Sequence, residues 1–180
     1  MAQLKIGIII GSTREGRVSP QVAEWVHKIA EKRGDAQYDI IDIADFKIPL
    51  LGEPGYDTSG VKDWVEQMAS KDGYVFIVSE YNHSLAASLK NALDYLKTEM
   101  HNKAAGIVSY GSVGGARAAE HLRGILGEFL VADVRAHPAL SLFNDFENMT
   151  VFKPNEIQEQ IVGQMLDQLI PWSTALATIR

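Results

Sequence analysis

Three uninterrupted apolar segments, each ending in a loop of small and polar residues, constrain the fold of this 180-residue chain most strongly. They are LKIGIII (4–10), YVFIVS (74–79) and AAGIVS (104–109). Strands that are buried on both faces of a parallel sheet have this composition, whereas half-exposed strands alternate apolar and polar residues. Two further segments, YDIIDIADF (38–46) and LVADVRA (130–136), contain charged residues and therefore indicate strands at the edges of the sheet.

Helical spacing of apolar residues follows each of these strands. It predicts helices over residues 20–34, 61–70, 85–97, 115–129 and 155–169. A strand–helix unit repeated five times predicts an α/β fold with a parallel sheet. With the second and fifth strands at the edges, we expect a flavodoxin-like three-layer sandwich, with a five-stranded parallel sheet in the order 2-1-3-4-5. A six-stranded dinucleotide-binding sheet would bury the second strand instead.

Length and composition exclude several classes of protein. We expect a single domain over residues 1–180. The net charge of −6 argues against a nucleic-acid partner, and no apolar run reaches the roughly 18 residues that span a bilayer. The N-terminal segment lacks the pattern of a signal peptide, so we expect a cytoplasmic location. Because cysteine and the histidine spacing of metal sites are absent, we expect no metal and assign any redox chemistry to a bound cofactor.

Ligands of such a sheet bind beyond the carboxyl ends of the strands, where the strand order reverses between strands 1 and 3. The loops 11–19, 80–84 and 110–115 are expected to meet there. The first of them resembles half of the triphosphate-binding pattern G-x-x-x-x-G-K-[ST], but Arg17 and Val18 stand in place of its last two residues.

Hydroxyl and guanidinium groups in this first loop favour a terminal monophosphate over a triphosphate. The candidate ligands are Ser12, Arg14, Arg17 and Ser19. Ser19 also suits the N-cap of the first helix, whose N-terminus favours an anion. An ordinary strand-to-helix loop with solvated arginines explains the same residues equally well.

The second and third loops supply aromatic, amide and glycine groups. Tyr81 and Asn82 are suited to hold a flat heterocycle, and we assign His83 to binding because nothing in the spacing makes it a base. A strand-to-helix turn capped by Asn82 or Ser84 is the alternative. In the third loop, glycines allow close approach of a ligand to a helix N-terminus, where the negative charge of a reduced flavin is favoured. A flexible turn is the alternative for these glycines, which are Gly111, Gly114 and Gly115.

Taken in order, GSTREGRVS, SEYNHSLAASLKNALDYL and YGSVGGARA resemble the NADPH-dependent FMN reductase family. That family includes soluble quinone, chromate and azo-dye reductases and enzymes that supply free reduced flavin. The resemblance extends from residue 4 to about residue 170, and E-Y-N-x-S followed by L-K-N-A-L-D is its most specific part. One departure is Ser79, where family members usually have proline, and we expect it to make the second loop slightly less rigid.

The resemblance implies roles for individual residues. The FMN phosphate would be held by Ser12, Arg14, Arg17 and Ser19, the ribityl chain and ring by Glu80, Tyr81, Asn82 and His83, and the pyrimidine end by the loop that contains Tyr110, Gly111, Ser112, Gly114 and Gly115. Many relatives have serine where Arg17 stands, so its role is left open between the FMN phosphate and the NADPH phosphate.

The resemblance also implies a reaction. NADPH or NADH would give a hydride to N5 of FMN, which would pass it to a quinone, azo compound, metal oxyanion or free flavin by a ping-pong mechanism. No protein side chain is expected to act as a catalytic group, and the family forms dimers or tetramers. Two alternatives are a flavodoxin-type electron carrier without NAD(P)H turnover and a regulatory α/β domain that binds another phosphate compound.

Overall fold

A parallel sheet with helices on both faces forms the centre of the protein in a computed structural model that describes residues 3–54 and 59–180. The sheet contains β1 (Lys5–Ile10), β2 (Gln37–Asp42), β3 (Gly73–Tyr81), β4 (Ser84–Leu85), β5 (Ala104–Gly111), β6 (Ala132–Asp133) and β7 (Ala139–Ser141), and a separate hairpin contains β8 (Phe146–Glu147) and β9 (Val151–Phe152). The helices are α1 (Ser19–Glu31), α2 (Ser59–Ala69), α3 (Ala87–Asp94), α4 (Ala116–Glu128) and α5 (Glu156–Leu176), with 3₁₀ turns at Ile43–Phe46 and Ala177–Ile179.

Hydrogen bonds order the main sheet β2-β1-β3-β5-β6, and every pairing along this path is parallel. The short β4 is antiparallel to β3, and β7 is parallel to the end of β5. Apart from β4, the strands follow the predicted order 2-1-3-4-5, with the charged β2 at one edge. The flavodoxin-like arrangement predicted from the sequence is therefore confirmed.

The fifth strand, predicted over residues 130–136, is shortened to Ala132–Asp133, which pairs with the start of β5. A second short strand, Ala139–Ser141, lies beyond the predicted range and pairs with the end of β5. Pro138 lies between them and has no N–H to donate, although its carbonyl accepts a hydrogen bond from Ser109 N at 3.0 Å. This edge of the sheet is consequently made of two short strands.

Three predicted boundaries differ from the structure. β2 ends at Asp42 rather than at residue 46, because the Asp42 side chain accepts a hydrogen bond from Ala44 N (3.0 Å) and begins a 3₁₀ turn. Ser19 is the first residue of α1 and not its N-cap, which is Val18. The last helix continues through Pro171 to Leu176, beyond its predicted end at residue 169.

The core has two halves, one on each face of the sheet. On one face, α1 and α5 cover alternate side chains of the central strands, including Ile8, Val75 and Val108. On the other face, α2, α3 and α4 cover the intervening residues, including Ile9 and Phe76. All five of these side chains are fully or almost fully buried, which agrees with the uninterrupted apolar composition of the central strands.

A buried lysine, Lys103, lies in the half of the core that α2, α3 and α4 cover. Lys103, only 5% exposed, stands just before β5 and points its Nζ at the C-terminus of α2. Its Nζ donates hydrogen bonds to the carbonyl oxygens of Met68 (3.2 Å) and Ala69 (2.9 Å) and to the hydroxyl of Tyr74 (3.1 Å). Burial lowers the pKa of Lys103 to about 8. The last carbonyl groups of a helix have no N–H donor from a following turn, and Lys103 donates hydrogen bonds to them at the end of α2.

We expect Lys103→Met to lower the free energy of unfolding by about 2–4 kcal/mol, because the Ala69 carbonyl and the Tyr74 hydroxyl oxygen lose the donor that Lys103 supplies. Urea unfolding followed by circular dichroism measures this change. The same substitution at Lys62, whose side chain is 79% exposed on α2, is the control and should shift stability by less than about 0.5 kcal/mol. Equal effects of the two substitutions would contradict a structural role for Lys103.

Candidate functional site

The structure brings the three predicted loops together at the carboxyl ends of β1, β3 and β5. Arg14 of the first loop donates from Nε to the Tyr81 hydroxyl of the second at 2.8 Å. Ser19 Oγ and the Tyr110 hydroxyl, which belong to α1 and β5, lie 2.8 Å apart in a buried hydrogen bond. These contacts span 67 and 91 residues of sequence, so they exist only because the parallel strands end side by side.

The first loop combines buried hydroxyls with an exposed cation. Ser12 and Ser19 are almost completely buried, whereas Arg14 is exposed. A tight turn closes the loop through a hydrogen bond from Arg17 N to Arg14 O (3.2 Å), with Gly16 in the left-handed region at φ 66°. Besides Tyr81, the described residues that the Arg14 guanidinium contacts contribute only backbone carbonyl oxygens, at 3.1 and 3.4 Å. Within residues 3–54 and 59–180, its position is therefore fixed by neutral groups that leave its charge uncompensated.

Arg17 has a different environment from Arg14. Its Nη2 forms an ion pair with Asp42, the last residue of β2. Burial raises the pKa of the Asp42 carboxyl. The structure thus places Arg17 against the edge strand and Arg14 against the second loop, and it does not bring the two guanidinium groups to one point.

The second loop is a two-residue hairpin. Tyr81 pairs with Ser84 across it, and the two residues between them have positive φ angles of 45° (Asn82) and 69° (His83). This combination is that of a type I′ turn, in which asparagine is favoured at such angles. The alternative of a helix cap at Asn82 or Ser84 is wrong, because α3 begins later, at Ala87. The side chains of Tyr81, Asn82 and His83 are exposed to solvent.

A buried carboxylate links this hairpin to α4. The side chain of Glu80 is 6% exposed, and it accepts hydrogen bonds from Nε of Arg117 (2.7 Å) and from the Arg117 backbone N–H (3.2 Å). Arg117 Nη1 in turn lies 3.0 Å from Nε2 of His83, and because arginine can only donate, that nitrogen accepts. Glu80, predicted to lie along the flavin, is bonded to Arg117 in this structure, and its role at a flavin stays a prediction.

Arg117 is a charged residue at the three loops that the sequence argument did not single out. It lies in the first turn of α4, directly after the third loop, where YGSVGGARA drew attention only to its glycines. Its position at the start of a helix could have indicated an ion pair. The helix dipole disfavours a positive charge there, so an arginine at this position is expected to have a carboxylate partner. That partner lies 37 residues earlier in the chain.

The third loop needs its glycines for steric reasons. Gly114 and Gly115 have φ angles of 76° and 74°, and a Cβ on Gly115 would lie 2.8 Å from the backbone N and O of Tyr110. A hydrogen bond from Gly114 N to Gly111 O (3.2 Å) closes the turn, and Ser112 within it is exposed. The loop therefore holds its backbone close to the sheet and leads directly into α4.

A buried relay anchors this loop to the edge of the sheet. Ser109 Oγ donates to the carbonyl of Gly114 at 2.6 Å, so it accepts at 2.7 Å from the Nε2–H of a neutral His137. Burial, with Arg123 nearby, lowers the pKa of His137 to about 4. His137 lies in the segment between β6 and β7. The interruption of the edge strand therefore allows this segment to place His137 next to Ser109.

We expect the stability of the protein to fall as the pH is lowered from about 6.5 towards 4. Between these pH values the histidine at position 137 binds a proton in the unfolded chain but not in the folded protein. One such group contributes up to about 3 kcal/mol to the free energy of unfolding, and this contribution is lost as the pH falls. Unfolding of His137→Gln should therefore depend less on pH over this range, whereas His101→Gln, at a partly exposed position, should keep the parental dependence. Parallel curves for the parent and His137→Gln would exclude the relay as the cause.

Two further classes of site receive no support from residues 3–54 and 59–180. No group of three or more histidine, aspartate or glutamate side chains in these ranges is arranged to hold a metal ion. No helix in them is both long and apolar enough to cross a bilayer.

Comparisons with known proteins show which family the chain belongs to. Residues 4–145 match the family model described as NADPH-dependent FMN reductase. The chain is 35% identical over 149 residues to an NAD(P)H-dependent FMN reductase of Schizosaccharomyces pombe, covering 78% of this chain and 74% of that protein. It is 33% identical over 174 residues to a quinone reductase of Escherichia coli, covering 92% and 87%. Among solved structures, the flavoenzyme NAD(P)H:acceptor oxidoreductase of Paracoccus denitrificans has a TM-score of 0.75 at 16% identity, over 96% of this chain and 98% of that one.

Proposed function

Because the chain belongs to the NADPH-dependent FMN reductase family and is an NAD(P)H-dependent oxidoreductase that uses FMN, we propose that the flavin binds across the loops 11–19, 80–84 and 110–115. When bound, FMN supplies the redox chemistry by taking a hydride at N5 from NAD(P)H and passing it to an acceptor in a ping-pong cycle. The protein's own residues bind and orient the reactants. The observation that supports this placement most is the uncompensated charge of Arg14 beside the first loop.

The first loop fits a phosphate monoester. Arg14 supplies a fixed positive charge with no carboxylate partner among the described residues, and the start of α1 lies a few residues away. Ser19 and Tyr110 share one hydrogen bond between two hydroxyl groups, so one hydroxyl proton remains available to a phosphate oxygen. We propose that these groups and Ser12 hold the FMN phosphate, and that Arg17 stabilises the edge of the loop through Asp42.

The other two loops fit the ribityl chain and the ring. Tyr81 and Asn82 are exposed on the hairpin, and Gly111, Gly114 and Gly115 of the third loop offer backbone without side chains. Backbone N–H groups at the start of α4 favour negative charge on the pyrimidine end of a reduced ring. The ion pair between Arg117 and Glu80 ties the hairpin to the start of α4. In this proposal His83 positions Arg117 and performs no proton transfer.

The test is whether the purified protein binds FMN and oxidises NADPH or NADH with a quinone as acceptor. Arg14→Ala should weaken FMN binding by roughly 1.5–3 kcal/mol, or about ten- to hundredfold in Kd, since a charge-assisted hydrogen bond is lost. Quenching of flavin fluorescence measures the Kd, and Arg135→Ala, at an exposed position, is the matched control. Unchanged affinity in Arg14→Ala would remove Arg14 from the phosphate site. FMN binding without nucleotide oxidation would favour the electron carrier instead.

Our proposals for the electron acceptor and the cellular compartment rest on the family alone. We propose a small-molecule acceptor of the quinone class, because the Escherichia coli quinone reductase is similar over 92% of this chain. A quinone is planar and can stack on the exposed flavin face at the mouth of the three loops. A cytoplasmic location is proposed on the same basis.

We propose a homodimer that buries the groove between α3 and α4. The groove has a volume of about 940 Å³. Its apolar lining includes Leu85, Ala87, Ile125 and Phe129. Lys90 lies on α3, and Glu120 and Glu128 lie on α4, so a twofold-related copy can place each lysine against the carboxylates of its partner. The groove begins at Ser84 of the hairpin, which makes the interface continuous with the flavin site.

Light scattering of the FMN-loaded protein should give twice the chain mass of 19.8 kDa. Gly124→Glu should convert it to the single-chain mass, because it adds negative charge in the middle of the groove. The substitution is compatible with the fold of one chain, since a Cβ on Gly124 has no atom within 4 Å. A parent that is already monomeric would contradict the homodimer, and a mass of four chains would favour a tetramer.

A further inference from the structure

A small polar cavity lies directly beside the first loop. It has a volume of about 290 Å³ and is lined by Thr13, Ile43, Ala44, Lys47, Ile48, Ser88 and Asn91. The volume accommodates a phosphate group but not a nucleotide. Thr13 and Lys47 supply a hydroxyl and an ammonium group, and none of the described lining residues carries a carboxylate.

Lys47 is held in an unusual backbone conformation. It follows the 3₁₀ turn Ile43–Phe46 with φ 49° and ψ 46°, in the left-handed region that non-glycine residues rarely adopt. The turn is fixed at its start by Asp42, which accepts from Ala44 N and is paired with Arg17. The Arg17–Asp42 pair therefore orders the segment that carries Lys47.

The opposite wall of the cavity is also rigid. Ser88 Oγ donates to the carbonyl of Gly11 at 2.8 Å, which ties α3 to the first loop. The Asn91 amide bridges the segment after Lys47, donating to Pro49 O (2.8 Å) and accepting from Leu51 N (2.9 Å). Since Ser88 and Asn91 are occupied by the backbone, Thr13 and Lys47 are the lining groups left to contact a ligand.

The distribution of charge singles out Lys47. Of the cations at the three loops and this cavity, Arg17 and Arg117 are neutralised by Asp42 and Glu80. Among the residues that the structure describes, Arg14 and Lys47 have no carboxylate partner. The proposed function assigns Arg14 to the phosphate of FMN, so a second cation next to the same loop is left for a second phosphate.

We infer that Lys47 and Thr13 bind the 2′-phosphate of NADPH and that this cavity sets the preference for NADPH over NADH. The inference rests on the proposed function, in which a pyridine nucleotide approaches the same edge of the sheet. The cavity distinguishes the two nucleotides because only NADPH carries a third phosphate group, and a cation without an internal partner interacts more strongly with that dianion than a paired one.

The test compares the FMN-loaded parent with Lys47→Asn, Lys47→Arg and Lys62→Asn. Asparagine tolerates the left-handed backbone, so Lys47→Asn removes the charge without new strain. We expect it to raise KM for NADPH roughly tenfold or more, as for the loss of one charge-assisted hydrogen bond, and to change KM for NADH less than about twofold. Lys47→Arg should keep most of the preference, and Lys62→Asn, on exposed α2, should keep all of it.

Binding of 2′,5′-ADP and 5′-AMP, measured by calorimetry, gives a readout that needs no turnover. Lys47→Asn should lose affinity for 2′,5′-ADP roughly tenfold or more while 5′-AMP is unaffected. Unchanged 2′,5′-ADP binding, or an equal loss for both nucleotides, would overturn the inference. A fall in FMN affinity would also overturn it, because the cavity would then hold the flavin phosphate. A parent that oxidises neither nucleotide refutes the proposed function separately.

Discussion

Burial of β1, β3 and β5 on both faces is the constraint on which the rest of the structure depends. Because helices cover both faces, these strands carry apolar side chains along almost their whole length. Polar groups are therefore confined to the loops beyond the carboxyl ends. Parallel pairing sets those ends side by side, so residues far apart in sequence, such as Arg14 and Tyr81, come within hydrogen-bond distance.

The cations of the site divide into two groups by their partners. Arg17 and Arg117 each contact a partly or fully buried carboxylate, which cancels most of their charge and makes them part of the scaffold. Arg14 is instead held by a phenol and by carbonyl oxygens. Neutral acceptors fix the direction of a guanidinium group while leaving its field to act on a ligand. This difference separates structural from binding cations more clearly than residue type does.

Much of the architecture and the place of the site were predictable from local composition. The strand order followed from Asp39 and Asp42 in the second strand, since charge is tolerated at an edge and excluded from a doubly covered strand. The family resemblance followed from three loops in the right order and was matched by the family model over residues 4–145. The turn type of the hairpin was available in principle, because Asn82 is a favoured residue at a positive φ angle.

Other features were out of reach of the sequence. Glu80 was expected to lie along the flavin, but its carboxylate is bound to Arg117, which no motif singled out. No sequence pattern singled out His137, although it anchors the third loop through Ser109. Lys47 belongs to no motif, and its relation to Thr13 depends on a 3₁₀ turn that was predicted as strand. In each case the decisive partner lies far away along the chain.

The sequence by itself determined the fold class, the edge of the sheet where the three loops meet, and the family. These depend on properties of single segments, namely apolar composition, helical spacing and the small or hydroxyl residues that close each loop. Only the tertiary structure decided which charges are neutralised and which remain for ligands. Ion pairing depends on distances of a few ångströms between side chains that are 25 to 37 residues apart, and folding alone sets those distances.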